Sequence, residues 1–144
     1  MTNRFITKSV EETKQLATEI AEKIAIGTVI ALIGELGTGK TVFAQGFAKA
    51  FGINETVGSP TFKLISEYTG NDHLLYHIDC YRLNNAQEYI NIGGEHYLSP
   101  KEGVTLIEWA DIIEEILPKG TMVINLKRII GNSNHREIII SSFK

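Results

Sequence analysis

The segment GELGTGKT, residues 34–41, places glycines, a lysine and a threonine in the spacing G-x-x-x-x-G-K-[ST]. Glycine lets the backbone approach a ligand closely, so that its amide groups can surround a phosphate. Lys40 would then reach the β- and γ-phosphates, and the Thr41 hydroxyl would ligate Mg²⁺. The alternative is a glycine turn that only caps a helix. We predict a phosphate loop that binds the nucleotide through Gly37, Thr38, Gly39, Lys40, Thr41 and Val42.

The base is indicated only by elimination. Guanine-specific proteins with this loop use an N-K-x-D tetrapeptide, and the sequence contains none. Adenine is therefore favoured, and we expect ATP with Mg²⁺ as the ligands.

Two acidic residues follow apolar runs that are typical of buried strands: Asp79 after LLYHI and Glu108 after GVTLI. A phosphate loop needs a carboxylate at the end of a neighbouring strand to hold magnesium or to orient water. Alternatively, either acid leaves its strand into solvent or pairs with a lysine or arginine. His77 would share the side of Asp79, although a lone histidine is more often structural, and Trp109 either stacks on a ligand or fills the core.

The segment SPTF, residues 59–62, joins the helix after the phosphate loop to the next predicted strand. Many phosphate-loop NTPases have their first switch at this place, where a threonine can sense the γ-phosphate. Thr61 is therefore a candidate switch residue, and the alternative is an ordinary turn.

The elements on either side of the loop fit this chemistry. Residues 9–12 form a capping box that begins a helix near 10–25. TVIALIG (28–34) is continuously apolar, as expected for a strand buried on both faces of a parallel sheet. KTVFAQGFAKAF forms an amphipathic helix that stops at Gly52. The loop thus lies between a strand and a helix N-terminus.

Further along the chain, FKLISEY and HLLYHID predict an antiparallel hairpin around TGND (69–72). GVTLIEW predicts another buried strand, ADIIEEIL a short helix that Pro118 ends, and TMVINLK and REIIIS a pair of strands around the turn GNSN. We predict an α/β fold: a three-layer P-loop NTPase-like domain with a mainly parallel sheet and antiparallel additions, as a single domain over 1–144.

Composition limits the function classes. The chain has 144 residues, 43% of them hydrophobic and 22% charged, with a net charge of −3. Because lysine and arginine are scattered, no basic stripe can hold a nucleic acid directly. Cys80 is the only cysteine, no run reaches the ~20 apolar residues of a membrane span, and the N-terminus lacks an apolar signal region. We expect a cytoplasmic protein without membrane contact.

Five motifs in order, GELGTGKT, SPTF, HIDCYR (77–82), GGEHYL (93–98) and IEWAD (107–111), give the chain a resemblance to the bacterial TsaE family. The resemblance implies a small P-loop ATPase required for making threonylcarbamoyladenosine in tRNA. It implies binding of ATP with Mg²⁺, slow hydrolysis by the isolated protein, and association with the TsaB–TsaD heterodimer. The tRNA would be reached through that complex, and the ATPase would drive a reset or turnover of the complex.

The resemblance also implies roles for individual residues. Thr41 and Glu108 match the magnesium positions, Asp79 matches an acid needed for hydrolysis, and Thr61 matches the switch threonine. Trp109 matches the tryptophan of the family, and Arg136 corresponds to an arginine close to the nucleotide. Together with Lys40, these residues make up the predicted site.

Two other function classes stay open at this point. An independent small-molecule kinase would need several arginines in a lid over the phosphates, and the chain has only Arg4, Arg82, Arg128 and Arg136. In an ATP-sensing binding module, hydrolysis would be incidental. The two acids Asp79 and Glu108 argue for chemistry, since binding alone needs at most one of them.

Overall fold

The computed structural model describes residues 2–58 and 64–143. This part of the chain contains seven strands, three α-helices and two 3-10 helices. The strands are β1 Asn3–Thr7, β2 Val29–Ile33, β3 Ile65–Thr69, β4 Leu74–Asp79, β5 Gly103–Glu108, β6 Met122–Ile129 and β7 Asn132–Ser142. The helices are α1 Val10–Lys23, α2 Lys40–Ala50 and α3 Ala86–Asn91, with 3-10 helices at Gly94–Leu98 and Ala110–Ile116.

All seven strands belong to one sheet in the order β1-β7-β6-β2-β5-β4-β3. The four central strands, β6, β2, β5 and β4, are parallel. At one edge β3 is antiparallel to β4, and at the other edge β7 and β1 continue antiparallel from β6. The predicted α/β class, with a parallel centre and antiparallel additions, is confirmed.

The sheet is covered on both faces, which makes three layers. Along β2, Ile30 and Leu32 pack into the core cluster that contains α1 and α2. The alternate residues, Val29 and Ala31, pack into the opposite cluster with α3 and the second 3-10 helix. This alternation explains why the sequence of β2 is apolar throughout rather than at every second residue.

Helices α1 and α2 begin as their sequences predict. The Ser9 side chain accepts a hydrogen bond from the backbone of Glu12, and the Glu12 carboxylate accepts one from Lys8. The two helices pack closely, because a Cβ on Gly46 would collide with the backbone of Lys14. This contact fixes α2, whose first residue is Lys40, against the rest of the helical layer.

Several predictions about the elements need correction. The turn between β6 and β7 is Ile130–Gly131, not GNSN, because Asn132 already pairs with Ile129. Gly131 has a φ of +90°, which glycine adopts without strain. The exposed start of β7 tolerates the polar residues that suggested a turn. ADIIEEIL forms a kinked 3-10 helix, with non-helical backbone angles at Ile113.

Strand β1 was not predicted, since NRFIT has four exposed residues and no buried alternation. It is held by its pairing with β7, from Asn3 opposite Ile140 to Thr7 opposite Arg136. Among the described residues, no helix has the length and apolar character needed to cross a bilayer.

Candidate functional site

The phosphate loop connects the end of β2 to the start of α2, as predicted. Gly37 and Gly39 have φ values of +78° and +104°, which side chains with a Cβ rarely adopt. A Cβ on Gly34 would lie 2.6 Å from both the Leu126 carbonyl oxygen and Thr38 Oγ1. No side chain in the described part of the chain caps the first turn of α2. The loop therefore presents backbone amides to an anion at a helix N-terminus.

Lys40 is folded over the loop and is only 5% exposed. Its Nζ donates hydrogen bonds to the carbonyl oxygens of Gly34, at 2.6 Å, and Glu35, at 2.8 Å. The same nitrogen lies 4.1 Å from the centre of the Trp109 ring. Burial lowers the pKa of the Lys40 ammonium, and the carboxylates of Glu108, Asp79 and Asp111 oppose that shift.

The two candidate carboxylates lie side by side at the ends of neighbouring strands. Asp79 of β4 and Glu108 of β5 are direct partners in the parallel register, and each is 3% exposed. Thr41 Oγ1 donates to Glu108 Oε1 at 3.3 Å. Both acids line a cavity of about 460 Å³. The structure thus brings together the sequence-predicted residues Gly37, Gly39, Lys40, Thr41, Val42, Asp79, Glu108 and Trp109 around one cavity.

Asp79 is held by backbone at the start of the following loop. Its Oδ1 accepts a hydrogen bond from the Tyr81 amide at 2.9 Å, and its own amide donates to the Leu64 carbonyl at 2.9 Å. The carboxylate therefore keeps a defined orientation at the cavity wall.

His77 lies closer to this chemistry than its sequence position suggested. The side chain is fully buried, and its Nε2 lies 2.6 Å from Glu108 Oε2. Its other ring nitrogen, Nδ1, makes no hydrogen bond to any residue that the structure describes. The sequence does contain a signal for this position of His77. Alternate residues of a strand face the same side of the sheet, so residue 77 lies on the side of Asp79.

Trp109 packs against the core cluster on the side of α3 and also contacts two side chains of the site. It is half-buried, with a φ of +58° in the left-handed region directly after β5. Its ring packs against Tyr81 with the centroids 4.9 Å apart, in addition to its contact with Lys40. Trp109 also lines a second cavity of about 470 Å³, with Glu35, Thr38, Asp111, Asn125 and Arg128 among its walls.

The hairpin of β6 and β7 reaches the phosphate loop from the opposite side. Arg136 donates from Nε to the Thr38 carbonyl at 3.0 Å and from Nη2 to the Gly37 carbonyl at 3.3 Å. Arg128, its cross-strand partner, donates to the Leu36 carbonyl. We call Arg128 and Arg136 the arginine clasp, since they bind three successive loop carbonyls.

Sequence reasoning placed Arg136 near the nucleotide and missed Arg128. The pairing of the two arginines could have been found from a two-residue turn at 130–131. The polar residues after Gly131 concealed that turn. Thr61 and the rest of 59–63 lie outside the described residues, so its role stays a prediction. Val57 lies just before this segment, and its carbonyl oxygen accepts a hydrogen bond from the Gln45 side chain of α2 at 2.9 Å.

Comparisons with known proteins place the chain in a family. Residues 7–138 match the family model described as threonylcarbamoyl adenosine biosynthesis protein TsaE. The Bacillus subtilis tRNA threonylcarbamoyladenosine biosynthesis protein TsaE is 41% identical over 139 residues, which cover 96% of this chain and 85% of that protein. The Treponema pallidum protein of the same name is 36% identical over 138 residues, covering 96% of this chain and 99% of that protein.

The crystal structure of Bacillus subtilis YdiB gives a TM-score of 0.80 at 36% identity, over 100% of this chain and 87% of that one. A likeness of this extent means that the two chains share one fold, and the predicted P-loop NTPase-like architecture is confirmed. The chain therefore belongs to the TsaE family.

Proposed function

We propose that this protein is a Mg²⁺-dependent ATPase that serves the formation of threonylcarbamoyladenosine in tRNA. The observation that carries the proposal is the convergence of Lys40, Thr41, Asp79 and Glu108 on one cavity beside the phosphate loop. The family to which the chain belongs is named for that tRNA modification.

The residues present fit ATP and Mg²⁺. The loop offers backbone amides and Lys40 to phosphate groups, and the Thr41–Glu108 pair offers hard oxygen ligands. In the described part of the chain, no three side chains of the kinds His, Cys, Asp and Glu could enclose a metal ion. Mg²⁺ suits such an open site, because it usually keeps waters and takes substrate phosphates as ligands.

Charge balance explains why a cation is needed. Two buried carboxylates, Asp79 and Glu108, face the same cavity as Lys40. A nucleotide alone would bring further negative charge into this poorly solvated region. When bound, Mg²⁺ supplies neutralisation of the phosphate charge during phosphoryl transfer.

Asp79 then serves hydrolysis. Its carboxylate is buried at the cavity wall and oriented by the Tyr81 amide. A carboxylate held in this way can orient the attacking water and accept its proton. Glu108 serves mainly the cation, because it is the acid that contacts Thr41.

The proposal includes partners and place. The TsaB–TsaD heterodimer would supply the tRNA and the threonylcarbamoyl transfer, and this protein would couple ATP hydrolysis to turnover of the complex in the cytoplasm. A net charge of −3 with scattered lysines fits a subunit that leaves the tRNA to its partners. The kinase alternative loses support, since Arg128 and Arg136 bind loop carbonyls and Arg4 pairs with Glu137.

The test is ATP hydrolysis and tRNA modification with the purified protein, TsaB and TsaD, each omitted in turn. We expect slow ATP hydrolysis by the protein alone and faster hydrolysis in the complete mixture. When this protein is omitted, we expect no sustained modification of the tRNA. Lys40→Ala should weaken nucleotide binding and abolish hydrolysis, because it removes the only side-chain cation on the loop itself.

Lys49→Ala is the matched control, since Lys49 lies exposed in the last turn of the same helix. Near-normal hydrolysis by Lys40→Ala would contradict the phosphate-loop assignment. Sustained modification with a non-hydrolysable ATP analogue would contradict energy coupling.

A further inference from the structure

The buried contact between His77 and Glu108 has a clear direction when the carboxylate is ionised. An ionised carboxylate only accepts hydrogen bonds, so the 2.6 Å contact then places a proton on His77 Nε2. The other ring nitrogen, Nδ1, has no hydrogen-bond partner in the described part of the chain. Among the described residues, the ring therefore hydrogen-bonds to Glu108.

The same carboxylate contacts two groups from different elements. His77 of β4 binds Oε2, and Thr41 at the start of α2 binds Oε1 at 3.3 Å and Oε2 at 3.4 Å. With the ring nitrogen on one oxygen, rotation of the carboxylate about its last side-chain bond would break the shortest of these contacts. The contact with His77 therefore restricts the orientations that the Glu108 carboxylate can take.

A purely structural role does not account for a histidine at this position. The register partner of His77 on β5 is Leu106, and Leu75, two residues earlier on β4, belongs to the apolar cluster beneath α2. An apolar side chain would fill the same space without burying Nδ1, which has no partner among the described residues and whose burial costs stability. The contact with Glu108, which needs a donor at Nε2, offsets that cost.

We propose that His77 is a positioning residue that holds the Glu108 carboxylate toward Thr41 and so preforms the magnesium site. The inference rests on the proposed function, in which Thr41 and Glu108 hold the cation. Groups that orient a metal ligand from behind typically change metal affinity by 10- to 100-fold when removed, so the expected effect is about that size.

The experiment measures ADP binding by titration calorimetry over a range of Mg²⁺ concentrations, since ADP avoids hydrolysis during the measurement. In His77→Leu, the Mg²⁺ concentration that gives half of the gain in ADP affinity should rise by about 10- to 100-fold. ADP affinity in EDTA should stay unchanged, because the phosphate loop is intact. His77→Gln keeps an N–H donor at a similar reach and should restore at least part of the Mg²⁺ response.

Three results would overturn the proposal. One is a folded His77→Leu protein whose Mg²⁺ requirement stays within twofold of the wild type. Another is an equal loss in His77→Leu and His77→Gln, which would mean that packing and not the hydrogen bond matters. The third is a ¹H–¹⁵N NMR spectrum of the unmodified protein in which Nε2 of the His77 ring carries no proton, since the proposal requires the proton there. That measurement tests the proposal even where a variant does not fold.

The variant Glu108→Gln separates the positioning role of His77 from the magnesium-binding role of Glu108 on which it rests. If Glu108→Gln raises the Mg²⁺ requirement and His77→Leu does not, only the role of His77 is wrong. If Glu108→Gln leaves the requirement unchanged, the magnesium assignment itself is wrong and the inference is overturned with it.

Discussion

The two sides of the phosphate loop are opposite in charge and in exposure. On the side of β4 and β5, Asp79 and Glu108 are almost fully buried. On the side of β6 and β7, Arg128 is exposed and Arg136 is half-buried, and both bind carbonyl oxygens of the loop. The acidic side thus lines the cavity beside Lys40, whereas the arginine clasp contacts the backbone of the loop. Under the proposed function, the acidic side would serve the chemical step and the arginine clasp would maintain the shape of the loop.

The largest effect should come from the acidic side. Asp79→Asn keeps the size of the side chain but removes the proton acceptor, so turnover should fall about 100-fold or more. Nucleotide affinity should change by only a few-fold, because the loop and Lys40 are untouched. Steady-state ATPase assays and calorimetry would measure the two quantities.

The matched control is Asp72→Asn, at an exposed position in the turn between β3 and β4. If Asp79→Asn lost nucleotide affinity but kept its turnover, the assignment of the acidic side to the chemical step would be wrong.

A smaller effect, on ATP affinity and not on turnover, is expected for Arg136→Ala. It removes two hydrogen bonds from the guanidinium to loop carbonyls, so the loop loses preorganisation and ATP affinity should fall about 10-fold. Turnover of the saturated enzyme should stay within a few-fold of the wild type. Arg4→Ala serves as control, because Arg4 pairs with Glu137 on the neighbouring strand. A loss of turnover as large as that of Asp79→Asn would show that the clasp takes part in chemistry.

A still smaller effect is expected for Arg128→Ala, since a hydrogen bond from an exposed side chain to the Leu36 carbonyl contributes little. ATP affinity should fall about two- to threefold. The double variant with Arg136→Ala measures whether the clasp acts as a unit, because neighbouring residues that share a function are not additive. Strict additivity would argue for two independent contacts.

The smallest effect is expected for the reaction of Cys80 with a thiol reagent. Cys80 follows Asp79 but packs into the core cluster on the side of α3. Burial, and then the charges of Asp79 and Asp111, raise the pKa of its thiol to about 12. At neutral pH the thiol stays protonated, so it should not react with a thiol reagent in the folded protein. Full reaction in denaturant is the control. Rapid reaction of the native protein would mean that the core beside α3, into which Cys80 packs, opens to solvent.

The sequence predicted the acidic side better than the basic side for a physical reason. The carboxyl ends of parallel strands lie at one edge of the sheet, so an acid that follows a buried apolar run lies at that edge whatever the order of the strands. Asp79 and Glu108 follow this rule. The β6–β7 hairpin extends beyond the core, where polar residues do not reveal which side chains are paired. Arg128 was missed for that reason, and the turn was placed too late.

Other features depend on contacts that no local pattern contains. Strand β1 has no amphipathic pattern and exists through pairing with β7. The contact of His77 with Glu108 joins residues 31 positions apart, on strands whose adjacency the sequence did not establish. By contrast, the capping box at Ser9 and the glycine spacing of the loop are local, and both were recognised directly.

The pairing of β1 with β7 has a consequence for how the protein is made. Arg4 lies opposite Ile139, so β1 must wait for the synthesis of β7 before it can join the sheet. The phosphate loop is also synthesised before Arg136, which lies on β7. A nascent chain that stops before β7 therefore carries the whole nucleotide motif and Arg128 but lacks Arg136. The contacts of Arg136 with the phosphate loop can form only after β7 has been synthesised.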